Sequence, residues 1–95
     1  MKLTSEEREL AWLGDAVLSL FSRQKILQEG RGMDQERLAA MTSNQFLSCF
    51  GNPTRIEAAI GLTFQQHGLD SAFAKIEADL LPVFGRQWKN RGRKS

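Results

Sequence analysis

The chain has 95 residues, enough for one domain with a single modest core. One cysteine excludes an internal disulfide, and no apolar stretch reaches the length of a membrane span. With a polar start that is unlike a signal peptide, these features predict a soluble, cytoplasmic protein that does not contact a membrane.

The first predicted helix begins after Thr4, which together with Glu7 forms a capping-box pattern. Apolar residues then recur at helical spacing as far as Leu20 and Phe21, and we expect this face to be buried. The helix is predicted to end near Gln28, before Gly30 and Gly32.

Three further helices are predicted. Asp34 caps a second helix that ends near Gly51, and Asn52 followed by Pro53 begins a third, which ends at Gln66 or His67 before Gly68. Asp70 caps a fourth helix through about Leu81, where Pro82 limits its continuation. No segment alternates like a strand, so the sequence predicts a compact all-α domain of about four to five helices over residues 1–85.

Asp15 lies in the middle of the apolar run LAWLGDAVL, residues 10–18. A buried carboxylate there would cost several kcal/mol unless it were paired or bound to a cation. Asp15 is therefore expected to reach solvent or to have a function. Gly14 beside it suggests that another backbone passes close to this helix.

A second acid, Glu57, lies on the third predicted helix near Gly61. If the two helices cross near Gly14 and Gly61, the Asp15 and Glu57 carboxylates come within reach of one Mg²⁺ ion, whose remaining ligands are water and phosphate oxygens. The alternative is that both acids are ordinary solvent-facing helix residues.

The run LAWLGDAVL resembles the signature of the ribonuclease III domain, and RIEAAIG, residues 55–61, is similar to that family's second acidic motif. Residues 67–70 and 76–82 resemble its closing turn and last helix. The resemblance implies a ribonuclease III-like helical fold and a metal-dependent endoribonuclease that cleaves double-stranded or structured RNA. It also implies a homodimer, with Asp15 and Glu57 as catalytic ligands of Mg²⁺ or Mn²⁺ and Asn44 as possible support for the site.

The sequence departs from the family pattern at three acidic positions, where Arg8, Ala11 and Thr54 stand. This reduced set is similar to the Mini-ribonuclease III branch, which implies a role in ribosomal RNA processing. A helix usual between Asn44 and Glu57 is missing or collapsed into Cys49–Asn52. A catalytically inactive module that binds RNA or a ribosomal particle is therefore an alternative, and a protein-interaction domain with no RNA role is a third.

The last ten residues form a predicted basic tail, 86–95. Its five basic residues, with no acid among them, are candidate RNA contacts: Arg86, Lys89, Arg91, Arg93 and Lys94. Without these charges the net charge of +2 becomes −3 over residues 1–85. Trp88 could stack on an exposed base, although a frayed, solvated terminus is the alternative. The single cysteine, Cys49, is expected to be a small buried apolar residue.

Overall fold

The computed structural model describes residues 3–30 and 32–92, with side chains as far as Asn90, and all its regular elements are helical. The helices are α1 (Ser5–Gln28), α2 (Gln35–Thr42), the single turn α3 (Asn44–Leu47), α4 (Pro53–His67), α5 (Leu69–Asp79) and α6 (Leu81–Gly92). A 3-10 turn, Ser48–Phe50, lies between α3 and α4. The predicted all-α fold is confirmed. Within this described part, no helix is long and apolar enough to cross a bilayer.

The N-terminal caps of α1, α2 and α4 were predicted correctly. The Thr4 hydroxyl accepts a hydrogen bond from the Glu7 backbone N–H, and the Glu7 carboxylate accepts one from the Thr4 N–H. The side chains of Asp34 and Asn52 accept in the same way from backbone N–H groups three residues later. Each cap satisfies a donor that the first helical turn leaves unpaired.

The predicted second helix does not continue to Gly51. It stops at Thr42 because Ser43 is extended, with a ψ of 148°, and its hydroxyl accepts from the Phe46 N–H to begin α3. Between Asn44 and Glu57 the chain forms only the α3 turn, the 3-10 turn and the start of α4. The middle of the domain is therefore as short as the sequence indicated.

The C-terminal part differs from the prediction in two ways. Gly68, with a φ of 91°, is the N-terminal cap of α5, and Asp70 lies in the first turn instead of capping it. A further helix, α6, follows where Pro82 was expected to limit helical structure, and it includes the predicted basic tail as far as Gly92. Pro82 is the second residue of α6, where its missing N–H would have had no helical partner.

The core lies where α1, α4 and α5 pack together, and α1 packs most extensively against α4. Its largest fully buried apolar side chains are Leu18, Ile60 and Ile76, together with Leu47 from α3. The predicted burial of Phe21 is confirmed, but Leu20 is 41% exposed because the apolar stripe of α1 is narrower than its sequence suggests.

Helices α1 and α4 touch through their backbones at two glycines. A Cβ atom on Gly14 would overlap the Glu57 carbonyl and lie 2.7 Å from its carbon, and one on Gly61 would lie 2.9 Å from the Leu10 carbonyl carbon. Heavy atoms that are not bonded do not approach so closely, so only glycine fits at either position. This contact confirms the crossing that Gly14 suggested.

We expect Gly14→Ala to destabilise the fold by about 2–3 kcal/mol, because the new methyl group forces the two helices apart. Gly85→Ala is the matched control, since a Cβ at that helical position meets nothing within 4 Å. It should leave stability unchanged or raise it by up to about 1 kcal/mol through better helix propensity. Urea unfolding of the three proteins measures both effects. Equal stability of the two variants would contradict the close crossing.

Candidate functional site

The two acids singled out in the sequence meet where α1 and α4 cross. The Asp15 carboxylate lies within hydrogen-bonding reach of the Glu57 side chain, although the residues are on different helices. Gly14 brings them together, because its lack of a side chain lets α1 approach the Glu57 backbone. The convergence that the sequence predicted for this pair is therefore present.

The two carboxyl groups have different environments. Asp15 is exposed, whereas Glu57 is half-buried beside the crossing. Burial, together with the hydrogen bond and the negative charge of Asp15, raises the pKa of Glu57 to about 7. Near neutral pH the pair therefore holds one proton for part of the time, and protonated Glu57 donates to the Asp15 carboxylate.

This donor set fits a hard divalent cation. Two adjacent carboxylates that retain a proton near neutral pH offer a place where a cation can replace that proton. Mg²⁺ binds through one or two carboxylates when phosphate and water complete its shell. Across residues 3–30 and 32–92, no group of three or more His, Cys, Asp or Glu side chains is placed to hold a metal ion. A cation held by the pair would take its remaining ligands from water or phosphate.

The positions that depart from the ribonuclease III pattern do not extend the acidic pair. Ala11 is buried, and Arg8 is exposed on α1. Thr54, in the first turn of α4, is half-buried. None of the three carries a carboxylate, so none adds a ligand to Asp15 and Glu57.

Asn44, the predicted support for the site, is the first residue of α3 and is exposed. In the described part of the chain it makes no hydrogen bond to either acid. Its side chain is not needed to hold the pair, since the backbone contact of α1 with α4 already positions both residues.

The candidate RNA contacts are placed by α6 as far as the structure describes them. Arg86 and Lys89 are exposed, and Trp88 is half-buried. Arg93 and Lys94 lie outside the described residues, as does the side chain of Arg91.

Cys49 and Trp12 are both exposed at the surface. Cys49 is exposed and not buried, because it lies on the short 3-10 turn at the surface. Trp12 is 79% exposed on α1, one turn before Asp15. The helical spacing agrees with this exposure, because Trp12 lies about 180° around α1 from the buried Phe21.

No family model matches the chain, and neither a curated protein nor a solved structure matches it. The likeness to the ribonuclease III domain therefore depends on the sequence motifs alone.

The proton on the acid pair predicts a specific pH dependence of stability. Because the pKa of Glu57 is raised on folding, the folded state holds its proton more tightly than the unfolded state does. The free energy of unfolding is then highest below the pKa that Glu57 has in the unfolded chain. It falls as pH rises toward about 7 and levels off above that pH. We expect a loss of about 1–2 kcal/mol between about pH 5 and 8, after allowance for the solvent that reaches the pair.

Glu57→Gln should remove this loss, because the amide still donates to Asp15 but does not titrate. Glu9→Gln, at an exposed acid of the same charge on α1, is the control and should keep it. Urea unfolding at the two pH values measures the difference. An identical pH dependence in wild type and Glu57→Gln would contradict the coupling of Glu57 to Asp15.

Proposed function

We propose that the chain is a metal-dependent endoribonuclease of the ribonuclease III type that cleaves double-stranded or structured RNA. The observation that carries the proposal is the convergence of Asp15 and Glu57 at the Gly14–Gly61 crossing. The order of the two acidic motifs along the chain, and the residues that compose them, support the proposal. The same resemblance to the ribonuclease III family favours a role in ribosomal RNA processing.

In this proposal Asp15 and Glu57 hold Mg²⁺ or Mn²⁺. A divalent ion held by these two side chains would supply Lewis-acid polarisation of a phosphoryl oxygen and would activate water as the nucleophile for phosphodiester hydrolysis. The chain keeps the two carboxylates adjacent, since their helices are fixed to each other by backbone contact. Asp15 presents its oxygens to solvent, where the phosphate group of an RNA strand has access, while half-buried Glu57 fixes the inner side of the site.

A homodimer is part of the proposal. Trp12 is 79% exposed and Leu62 41% exposed, and both line an open cleft formed by the same two helices that carry the acids. A second copy that covered this apolar surface would place two acidic sites in one assembly, as the family resemblance implies.

A second candidate function is an RNA-binding module without catalysis. The specific observation in its favour is that only two carboxylates converge, with no third ligand among the described residues. Such a module would bind structured RNA in a salt-sensitive way and would leave it intact.

Cleavage of a structured ribosomal RNA fragment in the presence of Mg²⁺ tests the proposal. Wild type should cut the RNA, and Asp15→Asn and Glu57→Gln should each slow cleavage by about a hundredfold or more, because each removes a metal ligand. Asp70→Asn changes an exposed aspartate on α5 and should cleave like wild type. A chelator should stop all cleavage.

Intact RNA with every protein would contradict the nuclease. If binding also fell steeply with salt, that result would favour the inactive module. Equal cleavage by wild type and Asp15→Asn would show that the acid pair is not the active site.

A further inference from the structure

A second open site lies between α6 and the α2–α3 segment. It is a cleft of about 640 Å³, and its lining includes aromatic and amide side chains but neither Asp15 nor Glu57. The residues that matter below are Gln45, Cys49, Phe84, Gln87 and Trp88. Its volume is sufficient for a nucleobase, because small-molecule sites typically span about 300–1,000 Å³.

One wall of the cleft is an aromatic pair. The rings of Phe84 and Trp88 stack with centroids 5.7 Å apart and planes 23° from parallel. The Arg37 guanidinium lies 5.9 Å from the Phe84 ring and 6.0 Å from the Trp88 ring, and its charge is paired with the Glu29 carboxylate. These contacts tie α6 to α2 and to the end of α1, so the indole is held in place at the edge of the cleft.

Two amides line the same cleft. The Gln87 amide donates to the Cys49 sulfur at 3.3 Å, which fixes its position and leaves the amide with further hydrogen-bonding capacity. The Gln45 side chain makes no hydrogen bond to another described residue. Paired donor and acceptor groups next to a flat aromatic ring suit the edge of an unpaired base.

The charge of α6 suits the phosphates that accompany such a base. Neither Arg86 nor Lys89 lines the cleft, but both are exposed on α6. Each lies about 100° around the helix from a cleft residue, Arg86 from Gln87 and Lys89 from Trp88, so the two cations border the cleft on either side. Helix α6 contains no acidic residue. Glu36, on the α2 wall, is the acidic residue of the cleft lining, and it lies across the cleft from this basic helix.

We propose that this cleft binds an unpaired base of a single-stranded RNA segment. The base stacks on Trp88, its edge faces the Gln45 and Gln87 amides, and the neighbouring phosphates contact Arg86 and Lys89. The inference rests on the proposed function only in that RNA is the ligand, and it adds a single-stranded segment to the structured RNA that the acid pair cleaves.

Trp88 fluorescence provides the first test. In a Trp12→Phe background Trp88 is the remaining tryptophan of the chain. An unstructured RNA of about ten nucleotides should quench it, and a blunt duplex of the same length should not. Trp88→Ala, followed by anisotropy of a labelled strand, should weaken binding about tenfold through lost stacking. Trp88→Phe keeps a ring against Phe84, so its affinity for the strand should lie between those of wild type and Trp88→Ala.

Cys49 provides a second test that needs no substitution. It is the one cysteine of the chain, it is exposed, and it lines the cleft. The unstructured RNA should slow its reaction with a thiol reagent, and the duplex should not. This measurement holds even if a Trp88 variant fails to fold.

The basic residues are tested by salt dependence. Arg86→Gln and Lys89→Gln should each reduce the slope of log affinity against log salt by about 0.7, because each removes one contact with a single-strand phosphate. Arg23→Gln, at an exposed arginine on α1, should leave the slope unchanged.

Binding of the strand with wild-type affinity by Trp88→Ala would overturn the proposal. Protection of Cys49 that rises with protein concentration in the absence of RNA would also overturn the proposal, because a second copy of the chain would then occupy the cleft. Asp15→Asn should bind the strand like wild type, so a failure of the nuclease proposal and a failure of this site can be told apart.

Discussion

The contact between the backbones of α1 and α4 is the constraint on which the rest of the structure depends. Gly14 and Gly61 allow the two longest helices to touch without intervening side chains, and a methyl group at either position would overlap a carbonyl of the partner helix. Glycine in a helix interior costs about 1 kcal/mol relative to alanine, so its use at both positions indicates that close approach matters more than helix propensity. The core formed with α5 then packs against this fixed pair.

The same contact creates the acid pair and its unusual electrostatics. A carboxylate that leaves water without a partner is destabilising, and two adjacent carboxylates repel each other. Burial and the neighbouring Asp15 raise the pKa of Glu57 to about 7, so the pair can hold a proton that reduces both penalties. A carboxyl group that holds a proton because it is half-buried beside a like charge is also one whose negative charge a divalent cation can offset. The proposed metal site and the predicted loss of stability with rising pH therefore have one physical origin.

Much of the fold could be predicted from local signals, because the caps of α1, α2 and α4 are made by side chains three residues from the donors they satisfy. The break at Ser43 could not, since serine is tolerated within helices and its role as a cap is decided by the turn that places Phe46 in the core. Helix α6 was missed because Pro82 indicated the end of a helix, although proline is also favoured in a first turn. The packing of Phe84 against Phe46 and Trp88 identifies the helix. At the site, the two glycines predicted that Asp15 and Glu57 meet. The raised pKa of Glu57 could not be predicted, because it depends on burial and on the distance between the two side chains. The cleft beside Trp88 joins residues more than forty positions apart in the chain, which local patterns do not reveal.

Binding of Mn²⁺ to the full chain, followed by electron paramagnetic resonance near pH 8, tests most directly whether the acid pair is a cation site. The account predicts a single ion per chain for wild type and for Glu9→Gln, and loss of that binding in both Asp15→Asn and Glu57→Gln. Equal Mn²⁺ binding by wild type and Asp15→Asn, or no binding by wild type in the presence of an RNA phosphate ligand, would contradict it.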